Sequence, residues 1–291
     1  SDNNLIENNI AKNNTWRGIS LYSSDNNLIS NNTVGNNGTD GICLEYSDNN
    51  LISGNTCENN YYGIYLDESN NNTLINNTCS NNNCGIYLGG SSNNTLENNV
   101  CENNSDGIFL SYIMLEPDPG ELSFVYSNNN ILTNNTCENN NEHGIYLEYS
   151  DNNLIYHNDI INNSTQAYDT GTNTWDNGYP SGGNYWSDYA GLDENHGVNQ
   201  NIPGSDGIGD VPYNIFGGSN QDRYPLIVRG VQVSISPSWQ ENENGGTLEY
   251  EVLVMNLGNV QENFQLENGD NAGWALALEN TWLLVPKAKT G

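Results

Sequence analysis

Basic residues are almost missing from this chain: six of 291 are Lys or Arg against 36 Asp or Glu, a net charge of −30. A protein so short of cations cannot neutralise a phosphate backbone, which excludes nucleic acid as a partner, and anionic membrane surfaces are disfavoured alike. Methionine occurs twice and histidine three times, too few for the clustered soft ligands that copper(I) prefers. No run of eighteen apolar residues is present, so nothing is long enough to insert into a membrane as a helix. Low hydrophobicity with high charge is often a mark of disorder, but here the apolar residues recur with a strict period.

The dipeptide Gly-Ile opens at Gly18, Gly41, Gly63, Gly85, Gly107 and Gly144, with successive spacings of 23, 22, 22, 22 and 37 residues. The unit reads G-I-x-L-x-x-S-x-N-N-L-I-x-N-N-T-x-x-N-N, and a degraded copy follows at Gln166–Asp169. Asn, Thr, Ser, Gly, Tyr and Ile favour turns and strands over helix. Short apolar stretches punctuated by Asn-Asn predict three strands per coil. The fold class is therefore all-β: a right-handed parallel β-helix of about 7–8 coils of 22–23 residues, each stacked on the next at about 4.8 Å.

Alternation assigns the faces. Columns predicted to point inward are Ile19 to Ile145, Leu21 to Leu147, Ile6 to Ile155, and Ala11, Val34, Cys57, Cys79, Cys101, Cys137 and Ile160. The cysteines share their column with Ala, Val and Ile, so they read as free, buried, apolar stack members. Stacked side chains point in parallel, which is poor disulfide geometry. The asparagines read as scaffold, turning corners in the left-handed conformation and bonding from coil to coil.

Between the inward Ile and Leu lies an outward column with Tyr65, Tyr87, Phe109 and Tyr146, near Glu45, Asp67 and Glu148. These seven are the candidate ligand face: rings for stacking on sugars, carboxylates for hydroxyls or cations. The same ladder would also stiffen the sheet by cross-strand contact. Residues 111–127 form a loop insertion just beyond this face, placed to wall or cover it.

Three segments follow from the composition. Residues 1–168 carry the repeats, 169–229 form a Gly-, Trp- and Tyr-rich cap, and 230–291 alternate as in a small antiparallel β-sandwich, short for a complete immunoglobulin-like domain. Within the cap, Asp193, Glu194, Asp206 and Asp210 around "SDGIGD" are a candidate calcium site, although the D-x-D-x-D-G spacing is absent. No cofactor is expected, calcium at these residues being the alternative. Ten N-x-S/T sequons occur, and Asn37 in "NNGTD" is the expected exposed glycan acceptor. "SDNNLIENN" at the start repeats "SDNNLISNN" at Ser24–Asn32, so an export signal is expected upstream of this segment.

The units "NNTLINNTCSNNNCGIYL" (Asn71–Leu88) and "GNYWSDYAG…SDGIGDVPYNI…GGSNQDRYPLI" (Gly183–Ile227) resemble NosD-like β-helix repeat proteins of methanogenic archaeal surfaces. The tail "MNLGNVQENFQLENGDNAGW" resembles the immunoglobulin-like modules that follow such helices. The resemblance implies an extracellular or cell-surface location; fold transfers through the repeat and copper chemistry does not. The resulting expectation is a non-catalytic structural or adhesion protein. Its face would meet carbohydrate, cations or copies of itself, including end-to-end assembly through open strand edges. The alternative is a polysaccharide lyase or hydrolase using the carboxylate–aromatic face. A lyase base would have only Lys12 and Arg17 to draw on within the repeats. A NosD-like copper accessory role is the third reading.

Overall fold

The structure is a computed structural model describing residues 1–118, 121–227, 231–236, 251–256, 262–265 and 282–285. It divides into two units, Ser1–Val228 and Arg229–Gly291. The first is a parallel β-solenoid. Its first sheet has seven strands running from Leu5–Glu7 to Leu154–Tyr156. The second has eight, from Ile10–Lys12 to Tyr185–Trp186, and the third has seven, from Ile19–Tyr22 to Thr165–Asp169. Every neighbour is one coil away and in register: Ile64 pairs with Ile86, Ile86 with Ile108. No helix long and apolar enough to cross a membrane occurs among the described residues.

The four inward columns fill the interior as alternation requires. Ile29, Ile52, Leu74, Ile86, Leu110 and Cys101 are fully buried, and the cluster continues into Trp175 and Trp186 of the cap. Each such aliphatic side chain contributes roughly 1.5–3 kcal/mol. All six cysteines are free and buried. Thiol–thiol contact along the column, together with burial, holds Cys57, Cys79 and Cys101 well above the ordinary thiol range. Cys43 and Cys84 lie outside this column, at outward positions, yet are as buried as the rest.

Glycine precedes the inward Ile of every third-sheet strand but the last, which has Gln166 there, because backbones approach too closely for a side chain. A Cβ on Gly85 would stand 2.6 Å from the Gly107 carbonyl oxygen and 3.0 Å from the Asn104 amide nitrogen. The strand pairing skips each of these glycines, so the inside–outside alternation breaks there. Tyr62 and Tyr65, three residues apart, consequently bring their rings together at 5.1 Å on one face.

The asparagines turn the corners and form ladders as expected, and within each pair the two tasks fall to different residues. The first of each pair is left-handed: Asn31 has φ 54°, Asn76 57° and Asn134 55°, while Gly54 fills the same position at 65°. The second is buried in a ladder. The Asn55 amide accepts from the backbone N–H of Asn32 at 3.0 Å and donates to Asn77 Oδ1 at 3.0 Å and to the Ile29 carbonyl at 2.9 Å. Three such ladders run through the coils, past Asn50, Asn55 and Asn60, and a serine ladder passes through Ser47. An outer column that includes Asp25, Asp48 and Asn70 bonds in the opposite sense, each backbone N–H reaching back one coil.

Asn37 is one of these ladder members. It is 7% exposed, its Oδ1 accepts from Asn14, and its amide donates to Asn60. The expectation of an exposed acceptor at this sequon is therefore overturned, because the loop "NNGTD" continues the corner pattern instead of leaving it.

The insertion is a β-hairpin, Ile113–Asp118 paired antiparallel with Glu121–Val125. Ile113 and Val125 pack over Gly90, and Tyr112 meets Phe124 and Tyr149 at 5.4 and 5.7 Å. In the second unit, Val231–Ser236 pairs antiparallel with Glu251–Asn256, and Glu262–Gln265 with Trp282–Val285. The alternation of "WALAL" (Trp274–Leu278) predicts a further strand, and that segment lies outside the described residues.

Candidate functional site

The outward face of the third sheet gathers the predicted ring column. Tyr65 and Tyr87 stand 5.3 Å apart, Tyr87 and Phe109 5.0 Å edge to face, and Phe109 and Tyr146 4.3 Å stacked within 9°. Two residues absent from the sequence-derived set extend it: Tyr62 lies parallel to Tyr87 at 4.8 Å, and Tyr168 meets Tyr146 at 5.4 Å. All six rings are half-buried, each keeping part of its surface open to solvent. Such pairs contribute about 0.5–1.5 kcal/mol beyond area burial, so the column stiffens the sheet while remaining accessible.

The flanking carboxylates are engaged. Glu45 is held by Arg17 through two bonds, Nη2 to Oε1 at 2.7 Å and Nη1 to Oε2 at 2.8 Å, while Arg17 Nε reaches Asp40 at 3.0 Å. Glu148 accepts from the Ser111 hydroxyl at 2.8 Å. Burial, opposed by the Tyr65 hydroxyl beside it, raises Asp67 above the usual carboxylate range. Burial likewise raises Asp40, although Arg17 opposes it. The hairpin stands at the exit edge of this face, where Ile113, Tyr87 and Tyr65 surround Gly89.

One cluster on the same face escaped the sequence reading. Asp106 and His143 sit opposite each other on paired strands, with Nδ1 of His143 2.7 Å from Oδ1 of Asp106. Glu142 completes a group whose ligand atoms all lie within 4.8 Å of one another, the one such trio among the described residues. Extending each strand two residues upstream of its inward Ile would have placed Asp106 and His143 in one column.

The predicted calcium quartet is brought into one loop region, where each Asp accepts bonds from the loop itself. Asp193 accepts from Ser205 Oγ and the backbone N–H groups of Asp206 and Gly207. Asp210 accepts from Glu194 and Asn195, and Asp206 from Gln200 and Ile208. At the end of the solenoid lie carboxylates the sequence did not single out. Asp222, fully buried, accepts from Asn184 N at 2.7 Å, Trp186 Nε1 at 2.8 Å and Tyr224 N at 3.0 Å. Burial pushes it up to about 7 despite these donors. Asp169, also fully buried, accepts from Trp175 Nε1, Asn220, Asn173 and Gly171 N.

With this geometry in place, residues 1–113 match the family model of the right handed beta helix region, and residues 120–191 that of the periplasmic copper-binding protein NosD. The first unit is thus a parallel β-helix, similar over residues 1–113 to right-handed β-helix regions. No curated protein matches it. Solved structures similar to it include the A-module of the mannuronan C-5 epimerase AlgE6 of Azotobacter vinelandii, 20% identical with a TM-score of 0.49. That match covers 60% of this chain and 53% of the other. A point mutant of the periplasmic alginate epimerase AlgG is 21% identical over 60% of this chain and 46% of its own, at TM-score 0.45. The chain thus spans about half the length of these structures, and at such identities and scores they assign it no activity. For copper(I) the residues fit poorly: the stacked thiols are buried and protonated, and the Asp106–Glu142–His143 trio contains no sulfur.

Proposed function

We propose that this is an exported, non-catalytic surface protein whose third-sheet face binds carbohydrate. The observation that carries the reading is the unbroken, half-exposed ring column from Tyr62 to Tyr168. Flat rings of this kind match the apolar faces of pyranose sugars, and the hydroxyls of a bound chain would meet the carboxylates of Glu45, Asp67 and Glu148. The engagement of Glu45 by Arg17 and of Glu148 by Ser111 favours binding over acid–base chemistry, because hydrolysis needs two carboxylates free to transfer protons or attack. Export is supported by the periplasmic family matched over residues 120–191. The second unit, with its antiparallel pairs, serves as an immunoglobulin-like spacer or docking module.

The test is a glycan array read with wild type, Tyr87→Ala and Tyr149→Ala, the last ring being exposed and outside the column. Binding is expected to weaken about tenfold in Tyr87→Ala, equivalent to ~1.4 kcal/mol, and to persist in Tyr149→Ala. Unchanged binding by a folded Tyr87→Ala overturns the platform. Turnover of any member of a polysaccharide panel overturns the non-catalytic assignment.

A further inference from the structure

We propose that Asp106, Glu142 and His143 form a binding site for a divalent transition-metal ion of the zinc class. The site goes beyond the carbohydrate reading and stands without it. Each residue offers one ligand atom, and the three atoms lie within 4.8 Å of one another. A tetrahedral ion with bonds of about 2.0–2.2 Å holds its donors roughly 3.4 Å apart. The Asp106–His143 contact at 2.7 Å therefore opens by about 0.7 Å, and the exposed Glu142 side chain swings inward. Neither movement disturbs the buried core.

The position is organised before any ion arrives. Asp106 and His143 are on hydrogen-bonded strands, their side chains 13% and 21% exposed. The imidazole leans on Tyr146 at 4.8 Å and on Tyr168 at 5.8 Å, which fixes its plane. The arrangement is not a by-product of the repeat, because the same column holds Tyr62, Cys84 and Thr165 in other coils.

Ligand chemistry selects the ion. One imidazole and two carboxylates make a nitrogen–oxygen set suited to zinc and its neighbours, whereas calcium and magnesium take oxygen ligands alone. Cys84 lies on the adjacent strand but is buried, its Sγ donating to the Ile86 carbonyl at 3.3 Å, so no thiolate joins the set. On binding, a neutral imidazole moves its proton from Nδ1 to Nε2 and presents the Nδ1 lone pair; an imidazolium releases one proton to solvent. Three protein ligands leave a coordination position open above the aromatic face, where water or a sugar hydroxyl would complete the shell.

Calorimetric titration of the full chain with zinc chloride, in excess magnesium to occupy the diffuse acidic surface, tests the site. One saturable site is expected, weakened about tenfold or more in His143→Ala and in Glu142→Gln. His157→Ala should leave it unchanged, since that ring is held by the Ser181 carbonyl at 2.7 Å. Equal zinc binding by folded His143→Ala and wild type, or no saturable site, overturns the proposal. If His143→Ala does not fold, imidazole nitrogen NMR of the wild type decides: zinc must shift Nδ1 of His143, and an unmoved resonance overturns it.

Discussion

The coil stack and its cap solve one problem with opposite chemistry. In the stack, each buried amide faces an identical amide one coil away: Asn77 donates to Asn99, and Asn99 to Asn135. In the cap no residue repeats, and beside the amide of Asn184 the buried polar groups include three acids, Asp169, Asp176 and Asp222, all at most 2% exposed. An amide both donates and accepts, so it can pass a ladder onward indefinitely. A carboxylate only accepts, so it can end one. The ladder of Asn135 and Asn158 reaches Asn184, whose backbone N–H finds Asp222 where another asparagine carbonyl would stand. The ladder through Asn153 and Asn173 ends on Asp169, and the one through Asn140 and Asn163 on the Gln166 side-chain carbonyl. Periodicity thus carries the unfinished donors of the three asparagine ladders to one place, where acceptors receive them.

Breaking each region separately should expose the difference. Asp222→Ala strands the Trp186 indole N–H and two backbone N–H groups in the interior, at an expected cost of roughly 4 kcal/mol. Asn99→Ala in mid-stack is expected to cost about 2 kcal/mol, since its neighbours keep their other partners. Urea denaturation followed by circular dichroism ranks the two, and equal midpoints would remove the distinction between cap and coil.

Acidity sharpens the comparison. Because burial raises the folded pKa of Asp222 to about 7 from an ordinary value near 3.8, the folded state holds its proton more tightly than the unfolded one. That contribution is fully present below the ordinary carboxylate range and is lost as pH rises through about 7. Asp169 shifts in the same direction for the same cause. Asp176, although burial opposes it, is held below its ordinary value by Arg223, so its contribution is present across this range and is lost only as pH falls through the carboxylate range. The urea midpoint of the wild type is therefore expected to be higher at pH 5 than at pH 7.5, with a smaller difference in Asp222→Asn. A rise in stability from pH 5 to 7.5 would contradict the assignment.

The smallest effect belongs to the apolar stack. Cys101→Val replaces one small buried group by another and is expected to cost under about 1.5 kcal/mol. Cys101→Ser puts a hydroxyl into the same apolar column and is expected to cost about 2 kcal/mol. Thermal melts of the two variants check the order.

What the sequence made legible was whatever repeats. The inward columns at Ile86, Leu88, Leu96 and Cys101, the coil length and the ring column were all readable from spacing and alternation. The cap was not, because Asp222 meets Trp186 and Asn184 across 36 and 38 residues of aperiodic chain. Tyr62 and the Asp106–His143 pair were missed for a subtler reason. Strict alternation turns them inward, and only the close backbone approach at each glycine turns them out again. Asn37 was misplaced because "NNG" resembles a loop, whereas the ladder continues through it.

The ladders also share a direction. In all three asparagine columns the carbonyl ends of the amides face the first coil and the N–H ends face the cap. Aligned dipoles add, as they do along a helix axis, so the solenoid behaves as a small permanent electret with its positive pole at the cap. Asp169 and Asp222 are buried at that pole, where the field of the whole stack offsets part of the cost of hiding a carboxylate from water.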